Sequence, residues 1–560
     1  MAQLEEKSMS RRHNRNLFFL AATNEIRGEV NRPATPNEAQ RSFRFSEIVS
    51  GTAPAPSDGL LLALADAMTR PGDDIDSDIP AGFTYLAQFV DHDLTRDRTD
   101  VPFGTPVTDP GQLEQARSPA LDLDSLYGNG PIVDPQFYLE DGIHIKTGQT
   151  SASPPDDIAN ISLDHFDLHR RGASATEPKE ARSAQIPDPR NDENLAVAQT
   201  HLAFIRFHNN VCNRLANDGL PSAMIFERAR ELVVKHYQWM LRTDFLPRIV
   251  DPAIVDDVFT NGRKVFEVDG VGFPTMPLEF SVGAYRLGHS MIRELYDWNA
   301  VFGFNGRFPR QGTLLNLFRF SGTSGNLNPS SDVNNPVEGT LDRLATNWIA
   351  DWTRLFDFKA DGTPELEPEE GAVLNFAHPI DIRLTDPLKN LPLGSFGART
   401  PNATVPPEQM NLAFRNLARA RMVGLATGQE VAAHIATKVN GVTTLTREQI
   451  IGNDLDALTD EQKEELAVST PLWFYVLREA SLNLAAGAGT GRMGAVGGRI
   501  IAEVFHRAME GGDVSIIRDP TFVPSFGKLV GVFRMTDLLQ VAYDATKGEL
   551  RPLSPGAKRP

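Results

Sequence analysis

The sequence ENLAVAQTHLAFIRFHNNVCNRLA, residues 193–216, carries apolar side chains at the spacing of an amphipathic helix. The apolar positions are Leu195, Ala198, Leu202, Ile205, Val211 and Leu215. Asp192 and Glu193 favour the amino end of a helix, because the helix dipole attracts negative charge there. Gly219 stands where a helix end is expected. We therefore predict a long helix over these residues.

The same spacing recurs along much of the chain. It is found at residues 223–249, 281–295, 341–355, 407–422, 427–435, 461–482 and 496–509. Strand patterns are sparse, and residues 264–268 carry the best of them. Residues 146–192 lack apolar periodicity and are rich in Ser, Pro and Asp, which is typical of a long irregular excursion over the surface. These patterns predict a mostly α fold with few short strands.

The composition excludes several classes of protein. The chain has 560 residues, of which 41% are apolar, so it can bury a large core and is not a disordered protein. Its single cysteine excludes an intramolecular disulfide, a thiolate zinc cluster and a cysteine-ligated iron–sulfur centre. The net charge of −18 repels nucleic acid, and no apolar run approaches the ~20 residues of a membrane span. We predict no nucleic-acid partner and no transmembrane segment.

The polar first 50 residues, with prolines at positions 33 and 36, are predicted to form an N-terminal arm or wrap. Residues 51–560 are predicted to form one large domain. The apolar patch at residues 17–22 follows basic residues but is too short for a signal peptide. Two cellular locations are therefore compatible with the sequence: the cytoplasm, which is the default, and the outside of the cell after export by a non-classical route.

The motif Gln88-Phe-Val-Asp-His-Asp93 places a histidine between two aspartates. Flanking carboxylates favour the imidazolium form, so the arrangement is electrostatically unusual. From these six residues alone, His92 is half of a metal site, a general base oriented by its surroundings, or part of a surface turn.

A second histidine stands in Tyr285-Arg-Leu-Gly-His-Ser290. On a helix, Arg286 and His289 are three residues apart and share a face. A glycine inside a helix costs about 1 kcal/mol relative to alanine, so Gly288 suggests that something flat or bulky approaches closely. The competing interpretation is a core histidine whose hydrogen bonds are satisfied within the protein.

The segment Ser118-Pro-Ala-Leu-Asp-Leu-Asp-Ser-Leu-Tyr-Gly128 alternates aspartates with hydroxyls and backbone carbonyls, which suits a hard cation such as calcium. It is not an EF-hand, because Tyr127 holds the position that needs a glycine. The alternative is a turn in which the aspartates bond to their own backbone.

A fourth motif, Asp188-Pro-Arg-Asn-Asp-Glu193, places Arg190 and Glu193 three residues apart at the predicted helix start. Taken alone, it indicates a local ion pair worth about 0.3–0.5 kcal/mol.

Together with Asn416-Leu-Ala-Arg-Ala-Arg421, these motifs occur in one order, from about residue 83 to residue 509. In that order the chain resembles the animal-type haem peroxidases of the peroxidase–cyclooxygenase superfamily, in particular the myeloperoxidase-like enzymes and their bacterial members. The resemblance implies a large, mostly α catalytic domain at residues 51–560, with haem buried between central helices.

The resemblance also implies a role for each matching residue. His92 would be the distal histidine above the haem iron, with Gln88 beside it, and Arg190 would be the distal arginine. His289 would be the proximal iron ligand, and Asn416 would accept the other N–H of its imidazole. Arg286 would pair with a haem propionate. The predicted cofactor is haem b. Asp91 and Glu193 match the carboxylates that form ester links to haem methyl groups in mammalian members, so these two residues are the predicted positions of any covalent link.

For the aspartate-rich segment, the resemblance implies a calcium site next to the distal histidine. Its ligands would be Asp93, Ser118, the carbonyl of Ala120, Asp122 and Asp124. The charge of Ca²⁺ would offset the carboxylates that otherwise raise the pKa of His92.

The implied activity is a peroxidase that reduces hydrogen peroxide via a ferryl intermediate, as in a response to oxidative stress, and oxidises halide, thiocyanate or small aromatic donors such as phenols. The chemistry agrees with the residue types. A neutral histidine can carry a proton from one peroxide oxygen to the other, and an arginine stabilises charge on the separating oxygens. Imidazole is a strong axial ligand for haem iron, and a neutral partner such as Asn416 favours a more oxidising iron centre.

The chain departs from the family pattern in two places that bear on its substrate. Asn194 follows Glu193, where myeloperoxidase has a methionine bonded to the haem, which puts efficient chloride oxidation in doubt. In the cyclooxygenase branch, the radical-carrying tyrosine lies three residues before the proximal histidine. Arg286 holds that place here, and Tyr285 is one position further away. The alternatives are a fatty-acid oxygenase, a calcium-stabilised binding or adhesion protein without activity, and a His/Asp metal hydrolase.

Overall fold

The computed structural model describes most of the chain. The described residues are 17–20, 26–30, 43–69, 75–99, 101–153, 158–270, 274–306, 312–325, 327, 342–392, 405–485, 491–545 and 548–554. Most of the predicted N-terminal arm, residues 1–50, lies outside these ranges. The division into an arm and one large domain stays a prediction.

The helices are α1 (Asp58–Met68), α2 (Gly82–Leu94), α3 (Asp124–Tyr127), α4 (Pro178–Ala181), α5 (Leu195–Asn217), α6 (Ser222–Met240), α7 (Leu246–Ile249), α8 (Pro252–Asn261), α9 (Leu314–Arg319), α10 (Pro407–Met410), α11 (Leu412–Met422), α12 (Gly428–Ala436), α13 (Arg447–Ile451), α14 (Asp460–Val468), α15 (Leu472–Ala485), α16 (Gly497–Gly511) and α17 (Met535–Ala542). None of the helices in the described part of the chain is both long and apolar enough to cross a membrane.

The strands are short and form three separate pairs. They are β1 (Leu17–Leu20), β2 (Ile26–Val30), β3 (Phe45–Ser46), β4 (Thr147–Gln149), β5 (Asp164–Leu168) and β6 (Met276–Pro277). Strands β1 and β2 are antiparallel, as are β4 and β5, whereas β3 and β6 are parallel. The predicted mostly α architecture is confirmed.

Helix α5 lies at the centre of the core, packed against α2, α6 and α17. The rings of Phe89 on α2 and Phe204 on α5 stack with centroids 4.5 Å apart. Tyr237 on α6 meets the Phe204 ring edge-on at 5.6 Å. Burying rings of this size provides a large share of the hydrophobic stabilisation, so these contacts fix α2 on α5.

Several of the predicted helices are present with interruptions. The region predicted as one helix at residues 461–482 is α14 and α15, which are separated at Pro471, because proline cannot donate a helical hydrogen bond. The region at 407–422 is α10 and α11, and Asn411 caps the second by accepting from Ala413 N–H. In the region at 281–295, a π turn (Glu279–Gly283) is followed by a 3₁₀ helix (Ala284–His289), and the prediction is wrong for residues 290–295, which are not helical.

Two of the sequence predictions are wrong. Residues 342–355 contain only the short 3₁₀ turns Thr346–Trp348 and Trp352–Arg354, and the Trp348 ring is stacked between Phe302 and Phe320. The apolar spacing of this segment suggests a helix because its apolar side chains are buried on two sides. Residues 264–268 form no strand, because their backbone N–H groups donate to the buried carboxylate of Glu503 instead of a neighbouring strand.

A buried carboxylate anchors the segment that follows β3. Glu279 is completely buried, and its Oε1 accepts from Ile48 N–H at 2.9 Å and Val49 N–H at 2.8 Å. Burial raises the pKa of Glu279 to about 7, although the two N–H donors oppose the shift. The stability with which Glu279 holds residues 45–50 in place therefore depends on pH.

We expect the wild-type protein to lose stability as the pH rises from 5 to 8. Between the unfolded pKa near 4.5 and the folded pKa near 7, the folded state keeps a proton on Glu279 that the unfolded state releases. Stability from this group is therefore full below pH 4.5 and is lost as the pH rises through 7. In Glu279→Gln the amide does not titrate, so the loss should shrink by on the order of 3 kcal/mol.

Thermal midpoints measured at several pH values check this expectation. Glu177→Gln, at an exposed position, is the matched control and should follow the wild type. Parallel pH profiles for Glu279→Gln and the wild type would contradict the assignment of Glu279 as the coupled group.

Candidate active site

A cavity of about 230 Å³ opens between α2, the start of α5 and the turn at residues 284–289. Its lining residues are Thr84, Tyr85, Ala87, Gln88, Asp91, His92, Glu193, Asn194, Tyr285, Arg286, Gly288, His289, Ile292, Leu314, Phe318, Leu388, Leu391, Leu412 and Arg415. The structure thus brings together at one cavity six of the residues predicted for the haem site from motifs about 100 residues apart: Gln88, Asp91, His92, Glu193, Arg286 and His289.

His92 lies in the last turn of α2 and is 5% exposed. Its Nδ1 is 2.8 Å from Asn191 Oδ1, and its Nε2 is 3.7 Å from Glu193 Oε1. Burial and the charge of Arg190 lower the pKa of His92 to about 4, although Asp188 and Asp91 oppose the shift. At neutral pH the imidazole is uncharged, as a proton acceptor must be.

His289 lies at the end of the 3₁₀ helix that follows the π turn. Burial and the charge of Arg286 lower its pKa to about 3. Gly288, beside it, also lines the cavity. A Cβ atom built at this glycine would lie 4.0 Å from the Cβ of Ala87, an ordinary contact distance. A neutral imidazole that is partly exposed in an otherwise buried cavity is available as a metal ligand.

Asn416 on α11 contacts Nδ1 of the His289 imidazole. Its Nδ2 is 2.8 Å from His289 Nδ1, so in this orientation the amide donates to the ring. That differs from the prediction that Asn416 accepts an N–H from His289. Rotation of the amide by 180° exchanges nitrogen and oxygen within the same volume, and binding of iron at Nε2 requires the rotated form, with Nδ1–H donating to Oδ1.

Arg190 lies beside the cavity rather than in its lining. Its guanidinium donates to the buried carboxylate of Asp188 at 2.7 Å and to the carbonyls of Thr95 at 2.7 Å and His92 at 3.2 Å. Arg190 therefore fixes the backbone end of α2, where His92 is located. Arg190 thus contacts the main chain of His92, and it is not among the residues that line the cavity between His92 and His289.

A hydrogen-bonded cluster of polar side chains faces the same space. Gln88 Nε2 donates to Glu193 Oε1 at 2.6 Å, and Asn194 Nδ2 donates to Gln88 Oε1 at 3.0 Å. Burial raises the pKa of Glu193 to about 7, with Arg190 opposing the shift. Asp91 lines the cavity one residue before His92 and accepts from Thr95 Oγ1 at 3.1 Å.

The remainder of the lining separates into apolar and cationic parts. Ile292, Leu314, Phe318, Leu388, Leu391 and Leu412 form an apolar wall. Arg286 and Arg415 add two cations. Two buried hydroxyls of the lining, Thr84 Oγ1 and Tyr285 OH, have no hydrogen-bond partner among the residues that the structure describes. This set fits haem, which is a flat apolar ring with two carboxylates and an iron that binds imidazole.

The predicted cation ligands also converge. Oxygens of Asp93, Asp122 and Asp124 lie within 4.8 Å of one another. Ser118 Oγ donates to Asp122 Oδ2 at 3.0 Å, and Ala120 is buried in the same loop. Burial and the charges of Asp124 and Asp122 raise the pKa of Asp93 well above its usual value. A bound Ca²⁺ would remove this repulsion, since carboxylate and hydroxyl oxygens are its usual ligands.

The sequence patterns predict no role for three buried residues of the site. Asp188 holds Arg190 and Arg117, Asn191 bonds His92, and His201 on α5 contacts Asn191. Asp188 and Asn191 stand inside the quoted motif, but their side-chain directions depend on the 3₁₀ turn Pro189–Asp192. His201 lies eight residues after Glu193, a spacing that fits the helix face of α5 turned toward α2.

Comparison with known proteins identifies relatives of part of the chain. Residues 85–317 match the animal haem peroxidase family model, a segment that includes His92, Glu193 and His289. A peroxidase-like protein of Margaritifera margaritifera is 29% identical over 159 residues, which are 26% of this chain and 20% of that protein. Thyroid peroxidase of Canis lupus familiaris is 24% identical over 204 residues, 33% of this chain and 20% of that protein. Each match thus spans a fifth of the relative's length.

Solved structures share the architecture at low sequence identity. Peroxidase A from Dictyostelium discoideum superposes with a TM-score of 0.50 at 16% identity, covering 89% of this chain and 92% of that chain. Fatty acid alpha-dioxygenase of Oryza sativa superposes with a TM-score of 0.53 at 12% identity, covering 92% and 84%. At these identities the likeness concerns the fold alone, and it agrees with the predicted haem peroxidase fold.

We expect Ca²⁺ to raise the thermal midpoint of the chelator-treated protein by several degrees, because a cation that binds the folded aspartate cluster stabilises only the folded state. Asp122→Asn removes one charge of the cluster and should abolish most of the increase. The exposed Asp456→Asn is the matched control and should keep it. Differential scanning calorimetry at fixed ionic strength measures the effect, and an equal increase in the wild type and Asp122→Asn would exclude this cluster as the site.

Proposed function

We propose that this chain binds one haem between His92 and His289 and uses it to reduce hydrogen peroxide, and the match of residues 85–317 to the animal haem peroxidase family model supports this proposal. One observation carries the proposal. Two histidines, both uncharged at neutral pH, reach a single cavity from separate elements, and the rest of the lining combines apolar, cationic and carboxylate groups.

The residues that would hold the haem are those of the cavity. His289 would bind the iron through Nε2, with Asn416 fixing the ring through Nδ1. Arg286 would pair with a propionate, with Arg415 as a second cation of the lining. Asp91 and Glu193, which line the cavity, would be the carboxylates that form any ester links. When bound, haem would supply the electrons that reduce hydrogen peroxide.

The protein's own part in the reaction is proton transfer at His92. Nε2 of the neutral imidazole takes a proton from one oxygen of hydrogen peroxide and returns it to the other oxygen, which leaves as water. Arg190 supports this role through its contact with the main chain of His92, and its positive charge lowers the pKa of the ring. Gln88 and Glu193 supply further hydrogen-bonding groups within the same space.

The proposed reductants are small. Asn194 bonds to Gln88 and provides no sulfur for a link to haem, so bromide, iodide, thiocyanate and phenols are better candidates than chloride. Calcium at Asp93, Ser118, Asp122 and Asp124 would hold the loop at residues 118–124 against the residue that follows His92.

A second candidate function is the oxygenation of fatty acids. It is favoured by the apolar wall of the cavity and by the buried Tyr285 hydroxyl, which lines the cavity and has no hydrogen-bond partner among the described residues. Oxygen consumption with palmitate in the absence of peroxide distinguishes this reaction from peroxidase turnover. Rapid uptake by wild type that is lost in Tyr285→Phe would favour the oxygenase.

We expect the protein reconstituted with haem to show a Soret band that shifts when peroxide is added. His289→Ala removes the axial ligand and should lose haem-dependent activity. His92→Ala should retain haem but react with peroxide about 10²- to 10⁴-fold more slowly, since it lacks the proton carrier.

Stopped-flow absorbance measures these rates. His434→Gln on α12, outside the cavity lining, is the matched control and should react at the wild-type rate. Failure of the wild type to bind haem would refute the proposed function, and an unchanged peroxide rate in His92→Ala would remove the assignment of His92.

A further inference from the structure

A buried hydrogen-bonded chain continues from His92 away from the cavity. His92 Nδ1 is 2.8 Å from Asn191 Oδ1, and Asn191 Nδ2 is 2.9 Å from His201 Nδ1. Asn191 and His201 are completely buried, and His92 is 5% exposed. Two imidazoles are thus bridged by one amide in a part of the core that excludes water.

The orientation of the Asn191 amide determines which nitrogen carries the proton in the rings of His92 and His201. A carbonyl oxygen only accepts, so Asn191 Oδ1 requires the proton of neutral His92 to be on Nδ1. The Nε2 that faces the cavity then carries the lone pair. An amide N–H only donates, so His201 accepts at Nδ1 and carries its own proton on Nε2. The opposite orientation of the amide would place a proton on Nε2 of His92 and remove the base.

The surroundings hold each member of the chain in place. Asn191 lies in the 3₁₀ turn capped by Asp188, which accepts from Arg190 N–H at 3.0 Å. The ring of His201 meets Phe89 of α2 edge-on, with centroids 5.8 Å apart. Its Nε2 is buried and has no hydrogen-bond partner within the described part of the chain, so the contact with Asn191 is the single side-chain hydrogen bond found there for His201.

We propose that Asn191 and His201 are positioning residues that keep His92 in the tautomer with its proton on Nδ1, so that Nε2 always faces the cavity as a base. The proposal rests on the proposed function for its consequence, the speed of proton transfer. The tautomer itself is a property of the folded chain, and it can be measured without haem. Neither residue faces the cavity, so both act through His92.

The first measurement is the ¹⁵N NMR spectrum of the full-length protein, labelled at histidine ring nitrogens and prepared without added haem. Protonated and unprotonated ring nitrogens differ widely in chemical shift, and loss of signals in His92→Gln assigns the ring. We expect His92 to carry its proton on Nδ1 and His201 on Nε2. A proton on Nε2 of His92 in the wild type would overturn the proposal, whatever the protein does with haem.

The second measurement compares variants. Asn191→Leu removes both hydrogen bonds at nearly constant volume and should give mixed His92 tautomers and a peroxide rate about 10²-fold lower at full haem content. His201→Phe keeps an aromatic ring against Phe89 but frees the amide to rotate, so it should produce a smaller change of the same kind. Thr200→Val, a buried position beside His201 on α5, is the matched control and should leave tautomer and rate unchanged.

These outcomes separate the two proposals. A wild type with the expected tautomers that does not react with peroxide would refute the proposed function and leave the positioning role intact. Wild-type rates and tautomers in both Asn191→Leu and His201→Phe would overturn the positioning role while the peroxidase proposal stands. Should Asn191→Leu fail to fold, His201→Phe and the wild-type spectrum still decide the question.

Discussion

The packing of α2 against α5 is the contact on which the candidate site depends. Phe89 of α2 stacks on Phe204 and meets His201, both on α5. On the α2 side this fixes Gln88, Asp91 and His92 at the cavity and Asp93 in the aspartate cluster. On the α5 side it places the turn that carries Asn191 and Glu193 opposite them. Residues about 100 positions apart therefore meet because two helices bury one set of aromatic rings.

Burial then determines the charge states within the site. Desolvation lowers the pKa values of His92, His201 and His289 and raises those of Glu193 and Asp93. Neutral histidines suit proton transfer and iron ligation, whereas the crowded aspartates suit a bound cation. The guanidinium of Arg190 donates hydrogen bonds to Asp188 and to backbone carbonyls, which hold it at the edge of the cavity. From there its positive charge lowers the pKa of His92.

The sequence predicted the fold class, most of the long helices and the residues that meet at the cavity, because helical periodicity and motif order are local properties. It failed where tertiary contacts decide the structure. The rings of Phe302 and Phe320 hold Trp348 in a non-helical segment, and the Glu503 carboxylate takes the N–H groups of a predicted strand. The directions of Arg190 and Asn191 depend on partners that no spacing reveals.

The central claim is that haem lies between His92 and His289. A crystal structure of the haem-reconstituted protein tests it most directly. We expect iron bonded to Nε2 of His289, an Asn416 amide that accepts from His289 Nδ1–H, and His92 Nε2 facing the open side of the iron. Haem bound elsewhere, or iron ligated by a residue other than His289, would contradict it.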